Sequence, residues 1–163
     1  MQEYTPDFSL EVQGVKGTCP AGEVYAKEQL AKKRIPVLAC EGPCIRGDIA
    51  RLAGNLIGQE VPSCARACYA EAFLVPHSAM AFWVKSAEQV IMIDGCFLKC
   101  LGRVLNNLIP EEKVVHIDAL PLYKKYTDVF RMEDVPEEKR KAAAREVADK
   151  IVAKLKLVGE PAS

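Results

Sequence analysis

An α/β domain, a single-domain sandwich with a mostly parallel sheet flanked by helices, is predicted by three features of the sequence. Residues 35–40 (Ile-Pro-Val-Leu-Ala-Cys), 90–93 (Val-Ile-Met-Ile) and 114–118 (Val-Val-His-Ile-Asp) are short, mainly apolar runs rich in β-branched residues. Such continuity implies strands buried on both faces, as in a parallel sheet. Each run is followed by a segment with helical spacing or with helix-breaking residues that lead into one. Strands alternating with helices then argue for a sheet covered by helices.

The chain has 163 residues, half of them hydrophobic, which suits one domain with a sizeable core. Its expected organisation is a single domain over 1–163. Residues 1–20 form an N-terminal extension, 35–126 a cysteine-bearing α/β core, and 136–157 an amphipathic C-terminal helix. Lys plus Arg (22) equals Asp plus Glu (22), so no charge footprint for nucleic acid or an acidic membrane surface is present. Residues 1–12 lack the basic-then-apolar pattern of a signal peptide, and no run approaches the roughly 18 apolar residues of a membrane span. A cytoplasmic protein is expected, with no nucleic-acid or membrane partner.

In order, Phe8, Leu10 and Val12 alternate with polar residues as an edge strand would, and Gly14, Gly17 and Pro20 end that pattern. Residues 21–34 read as a mostly polar helix with Val24, Leu30 and Ala31 inward. The strand at 35–40 feeds a turn containing Gly42 and Pro43. A helix follows with Ile49, Leu52, Ala53 and Leu56 on one face and Gly58 past its end. Ser63 is placed to cap another helix, with Cys64 and Cys68 on one face, running to Pro76. A short helix after Ser78 carries Phe82, Trp83 and Val84 toward the core. The central strand 90–93 breaks at Asp94 and Gly95, and helical spacing resumes from Leu98 with Leu101, Val104, Leu105 and Leu108 inward. Residues 120–131 form a loop or irregular helix. Pro136 opens the last helix, where Glu137 and Glu138 complement the dipole and Ala144, Val147, Ile151 and Leu155 face the sheet.

Seven cysteines are the chemical anomaly. In a reducing compartment they point to metal binding or thiol chemistry rather than to a disulfide framework. Cys40 and Cys44, Cys64 and Cys68, and Cys96 and Cys100 share one C-x-x-x-C spacing; Cys19 stands alone as a bystander. Ligands gather outside the carboxyl ends of parallel strands, where Cys40 and Cys96 lie. With Cys64 on a neighbouring helix start, thiols from three segments meet on one edge. Helix N-termini favour the thiolate that metals and nucleophilic chemistry need. Four thiolates suit zinc, and iron–sulfur clusters take the same ligand type. The bland alternative is that cysteines here are small apolar fillers. His77 suits a helix start or the surface, and His116 a hydrogen-bonded core position. Asp94 suits a hydrogen bond from the next helix or support of a ligand thiol. Arg46 and Arg66 are either neutralisers of clustered thiolates or solvated charges.

Asp94, Gly95 and Cys96 with Cys100, together with Cys40 at a strand end before Gly47 and the helix at Asp48, and with Cys64 between, resemble the DGC-domain family of cysteine-rich zinc-binding proteins. The resemblance covers roughly residues 37–126. It implies a four-cysteine metal site, carried here by Cys40, Cys64, Cys96 and Cys100, with Cys44 and Cys68 as alternates. Zinc is the implied ion, an iron–sulfur cluster the alternative, and no reaction is implied.

Cys40 and Arg46 also have the C-x5-R spacing of low-molecular-weight protein tyrosine phosphatases and related arsenate reductases, in which the cysteine attacks while loop amides and arginine hold the oxyanion. Gly47 stands where those loops carry Ser or Thr, and the chain contains no Asp-Pro general acid. Efficient phosphatase activity is therefore not expected. Turnover of a simple aryl phosphate that disappears in Cys40→Ser would reverse that reading.

Overall fold

The computed structural model describes residues 3–159, and in it the three runs are strands of one four-stranded, all-parallel sheet. In chain order the elements are α1 (Pro20–Ala31), β1 (Ile35–Ala39), α2 (Ile45–Glu60), β2 (Cys64–Arg66), α3 (Tyr69–Leu74), α4 (Ala79–Ser86), β3 (Val90–Asp94), α5 (Cys100–Leu105), β4 (Val114–Asp118), α6 (Leu120–Tyr123) and α7 (Glu137–Gly159). The strand order is β2-β1-β3-β4. Val37 and Ala39 align with Ile91 and Ile93, and Ile93 with Ile117. The amide of Cys40 carries the β1–β3 ladder one residue further by donating to the Ile93 carbonyl at 2.8 Å.

Successive strand side chains enter two different layers. Val37, Ala39, Ile91 and Ile93 pack with Ile49, Ala53 and Ile57 of α2 and with Ala144, Val147 and Ile151 of α7. Leu38, Val90 and Met92 pack on the other side with Ala26 of α1, Met80 and Trp83 of α4, and Leu105. Burial on both faces is why the runs show no polar alternation. Trp83, among the largest buried side chains, donates its indole N–H to the Arg34 carbonyl at 2.9 Å, so its burial leaves no polar atom unpaired.

Several local expectations give way to packing. Residues 8–12 do not join the sheet: Phe8, Leu10 and Val12 are exposed, and the sheet's edge strands are β2 and β4. Three alternating residues supply an apolar face but not a layer to bury it against. In α1 the inward residues are Tyr25, Ala26, Gln29 and Leu30, while Val24 and Ala31 face out; the Cys19 cap and the following Pro20 set the helix start, and contact with α4 sets its face. Phe82 is exposed, unlike its neighbour Trp83.

Gly58 lies inside α2 rather than past it, and a Cβ there would stand 2.9 Å from the Arg66 backbone nitrogen. The glycine is a packing site where helix and strand backbones approach closely. The residues just after Ser63 form β2, aligning Cys64, Ala65 and Arg66 with Ile35, Pro36 and Val37, and the expected helix forms only from Tyr69, as α3. The exposed side of β1 needs backbone partners, and Ile35 donates to Ser63 while Ala67 donates to Val37. Helix α7 starts after Pro136 as expected, but lies chiefly across α2.

Candidate functional site

The strand order creates one natural crevice. From β1 the chain crosses to β2 on one side, then returns to β3 on the other. Where connections diverge in this way, the loops after the two strands part and leave room for a ligand. Here those loops carry Cys40 to Cys44 and Gly95 to Cys96.

Cys40 is half-buried, and the amides of Gly42 and Gly95 lie where they favour its thiolate. Burial pushes its pKa up, aided by nearby Cys44 and Asp94, and the two amides do not cancel that rise. Gly42 sits between thiols: a Cβ on it would be 3.7 Å from the Cys40 sulfur and 3.9 Å from that of Cys44. Cys44 is the residue before α2, and it contributes no side-chain cap.

Two further glycines let the loops close on each other. A Cβ on Gly47 would meet the Gly42 nitrogen at 2.7 Å and its Cα at 2.8 Å, and one on Gly95 would meet the Arg46 carbonyl oxygen at 2.9 Å. Backbone cannot swing aside as a flexible side chain can. Gly47→Ala is therefore expected to destabilise the fold by about 1–3 kcal/mol through overpacking. A denaturant midpoint unchanged by this substitution would show that the loop yields freely.

Asp94, only 1% exposed, accepts the Gly102 amide at 3.2 Å, as expected of a carboxylate before a helix. Burial raises its pKa despite that hydrogen bond and the nearby His116. His116 is hydrogen-bonded as expected, through Nε2 to Asn106 at 3.1 Å, while its Nδ1 stands 4.0 Å from Asp94. Gly102 is required here, since a Cβ would strike the Asp94 carboxylate.

Cys96 is half-buried at the strand tip, whereas Cys100 is exposed. The two are not joined by a turn of helix. Lys99 adopts left-handed backbone (φ 49°, ψ 46°), Phe97 and Leu98 point to solvent, and α5 begins only at Cys100. Val104, expected inward, is exposed as well.

The register places Cys64 away from this crevice. It pairs with Ile35, the first residue of β1, five residues before Cys40 and thus about 16 Å from it along the strands. Its thiol is buried among apolar side chains, and burial raises its pKa despite the adjacent Ser63 hydroxyl. Cys68, at the other end of β2, comes out on the carboxyl side and is exposed. The C-x-x-x-C spacing there spans a strand, not a helical turn. Cys19 caps α1, accepting the Gly22 amide at 3.3 Å.

Arg66 is committed to structure: it donates to Asn55 at 2.9 Å, to the Val37 and Ala67 carbonyls, and to Glu41 at 2.6 Å. This tethers the loop after β1 to β2. His77 binds the Gly17 carbonyl at 2.8 Å and holds the N-terminal segment, a surface role.

Of two groups near the crevice with an unpartnered buried atom, Arg46 is marked by the sequence and Tyr123 is not. Tyr123 is 3% exposed and its buried hydroxyl has no partner; burial pushes its pKa up to about 12, in a setting that includes Arg46, Cys44 and Cys96. Arg46 donates Nη2 to the Thr127 carbonyl at 2.7 Å, while its Nε is buried without a partner. No spacing rule links position 123 to 46; only the fold brings α6 beside the start of α2. The raised Cys40 pKa is the reverse of what an attacking thiolate of the C-x5-R type requires.

Among the described residues, no three His, Cys, Asp or Glu side chains already converge at metal-binding spacing. The expected quartet with Cys64 does not fit one ion, because its members lie at opposite ends of the sheet. Thiolate donors at the carboxyl edge fit a soft or borderline ion in chemistry, though not as a preformed cage. Among the described residues, no helix is long and apolar enough to cross a membrane.

No curated protein and no solved structure gives a match. A model of the DGC domain does, over residues 36–151. That span takes in all of the sheet but Ile35, every cysteine from Cys40 to Cys100, and most of α7. With the Asp94, Gly95 and Cys96 motif at the tip of β3 and its glycine packed on the loop after β1, the chain belongs to the DGC-domain family.

Proposed function

We propose that this protein binds a metal ion through thiolates at the carboxyl edge of β1 and β3, with zinc the expected ion. The observation that carries this reading is that Cys40 and Cys44 flank Gly42 while Cys96 follows Gly95, whose backbone packs against Arg46 and Gly47 of the same loop. Cys40, Cys44 and Cys96 are the preferred ligands. Cys100 and Cys68, exposed on that side of the sheet, are the available fourth donors.

The ion's role is not to hold the fold together. Two apolar clusters already fill the layers on both sides of the sheet, unlike small domains that fold only around zinc. A site assembled from half-buried and exposed thiols suits uptake and release. Bound zinc would supply charge stabilisation and Lewis acidity. The chain's own residues hold the thiols: the Gly42 and Gly95 backbones let the two loops pack together, and the Arg66 tether to Glu41 fixes the loop after β1.

Elemental analysis of protein purified without added metal, with its visible spectrum, tests the proposal. About one equivalent of zinc without colour is expected. Brown protein with iron and acid-labile sulfide replaces zinc by a cluster. Metal-free protein that takes up no zinc on titration overturns the reading.

A further inference from the structure

We infer that residues 7–13 of one copy of this chain add as a strand to the outer edge of β4 in a second copy, and that the exchange is reciprocal. That edge is open. Ala119 donates to the Asp94 carbonyl at 2.9 Å, so alternate residues back to Val115 turn their backbone toward β3, while Val114, His116 and Asp118 turn theirs away. The Val114 amide is taken by Glu111, but among the described residues no strand pairs with the outward groups of His116 and Asp118. Four of the five β4 residues are partly exposed, where β3 is wholly buried. β4 also lacks the proline or lysine that commonly blunts an edge. The opposite edge is closed. β2 is three residues long, its outward Cys64 amide goes to Val61, and its Arg66 carbonyl accepts the Tyr25 hydroxyl at 2.7 Å.

The occupant is in the same sequence. Pro6 and Gly14 bound a segment in which Phe8, Leu10 and Val12 alternate with Ser9 and Glu11. All three apolar side chains are exposed, and the segment has no strand partner in its own chain. His77 holds only its root, at the Gly17 carbonyl. On the receiving side α5 flanks β4, since Asn106 meets His116 at 3.1 Å, and α5 with the loop before it leaves Val104 and Leu98 exposed. A strand added outside β4 thus has apolar surface to cover as well as a ladder to complete. The charges agree. Residues 3–13 carry Glu3, Asp7 and Glu11 with no base, while residues 97–109 carry Lys99 and Arg103 with no acid. Main-chain bonds to the edge supply affinity and the alternating side chains set register, and a two-fold pair makes both contacts at once.

This interface does not rest on the metal reading, and chelator and reductant exclude bridging through the thiols. Under those conditions sedimentation equilibrium of the full chain should show a monomer–dimer equilibrium with a Kd of about 10 μM. Hydrogen exchange at the His116 and Asp118 amides should slow as protein concentration rises. Leu10→Asp in the arm and Val104→Asp on the receiving side should each weaken dimerisation about tenfold or more, because each buries a charge without a partner. Phe82→Asp, at an exposed apolar residue elsewhere, should leave it within about twofold. A chain that stays monomeric at every concentration overturns the inference, including one whose β4 amides are protected at all dilutions, since the arm then covers its own edge. A dimer indifferent to Leu10→Asp, or one that leaves the β4 amides unprotected, also overturns it, as does equal loss in Phe82→Asp.

Discussion

Cys96→Ser is expected to lower zinc affinity by about 100-fold or more, and Cys40→Ser to do the same, because each removes a thiolate from a site with few ligands. Cys64→Ala is the decisive contrast. Cys64 starts β2 beside Ile35, while the proposed centre lies beyond the far end of β1, so zinc affinity should stay within about twofold. Competition with a chromophoric chelator measures all three, and circular dichroism shows that each variant is folded. A loss of zinc in Cys64→Ala equal to that in Cys96→Ser would mean that the centre has been placed at the wrong end of the sheet.

The largest stability effect is expected at Asp48. This residue is 3% exposed, and it joins α2 to α7 through Arg140 at 2.6 Å while also accepting Arg51 at 2.7 Å. Asp48→Ala leaves the mostly buried Arg140 without its partner, at a cost of about 3 kcal/mol. Urea denaturation should show this as a lower midpoint with an unchanged slope. Burial alone would raise the Asp48 pKa, but the two guanidiniums outweigh it and hold the carboxyl below its usual value. A folded-state pKa below the unfolded one contributes stability that is fully present above the unfolded value, about 3.9. It is lost as pH falls through the lower folded value. The wild type should therefore lose more stability than Asp48→Ala as pH falls below about 4. Parallel acid profiles for the two proteins would show that the bridge contributes nothing.

Family membership was legible because its motif is local. Asp94, Gly95 and Cys96 lie at a strand break that can be read from residue types alone, and the apolar runs around them require burial on both faces. The same local reasoning placed the strands of the sheet's interior and the helix after Pro136. It failed where neighbours decide. Ser63 and the following cysteines have a helix start's composition, yet the free edge of β1 draws Cys64, Ala65 and Arg66 into a parallel strand. Likewise, Val24 fits a helical stripe, but the face of α1 against α4 puts it outside.

By itself, then, the sequence determined the strand runs, the glycine breaks and which thiols stand at strand tips, because those depend on contacts a few residues apart. Tertiary structure alone decided which thiols share an edge. Cys64 and Cys68, four residues apart, are separated by the length of a strand, while Gly95 and Arg46, far apart in the chain, meet backbone to backbone. The buried Tyr123 hydroxyl and Arg46 Nε are of the same kind: neither has a local reason to lack a partner. Their lack of partners arises only when β4 returns beside β3 and carries α6 to the start of α2. Register and strand order are set by burial and ladder hydrogen bonds summed over the whole sheet, and no short stretch of sequence contains that sum.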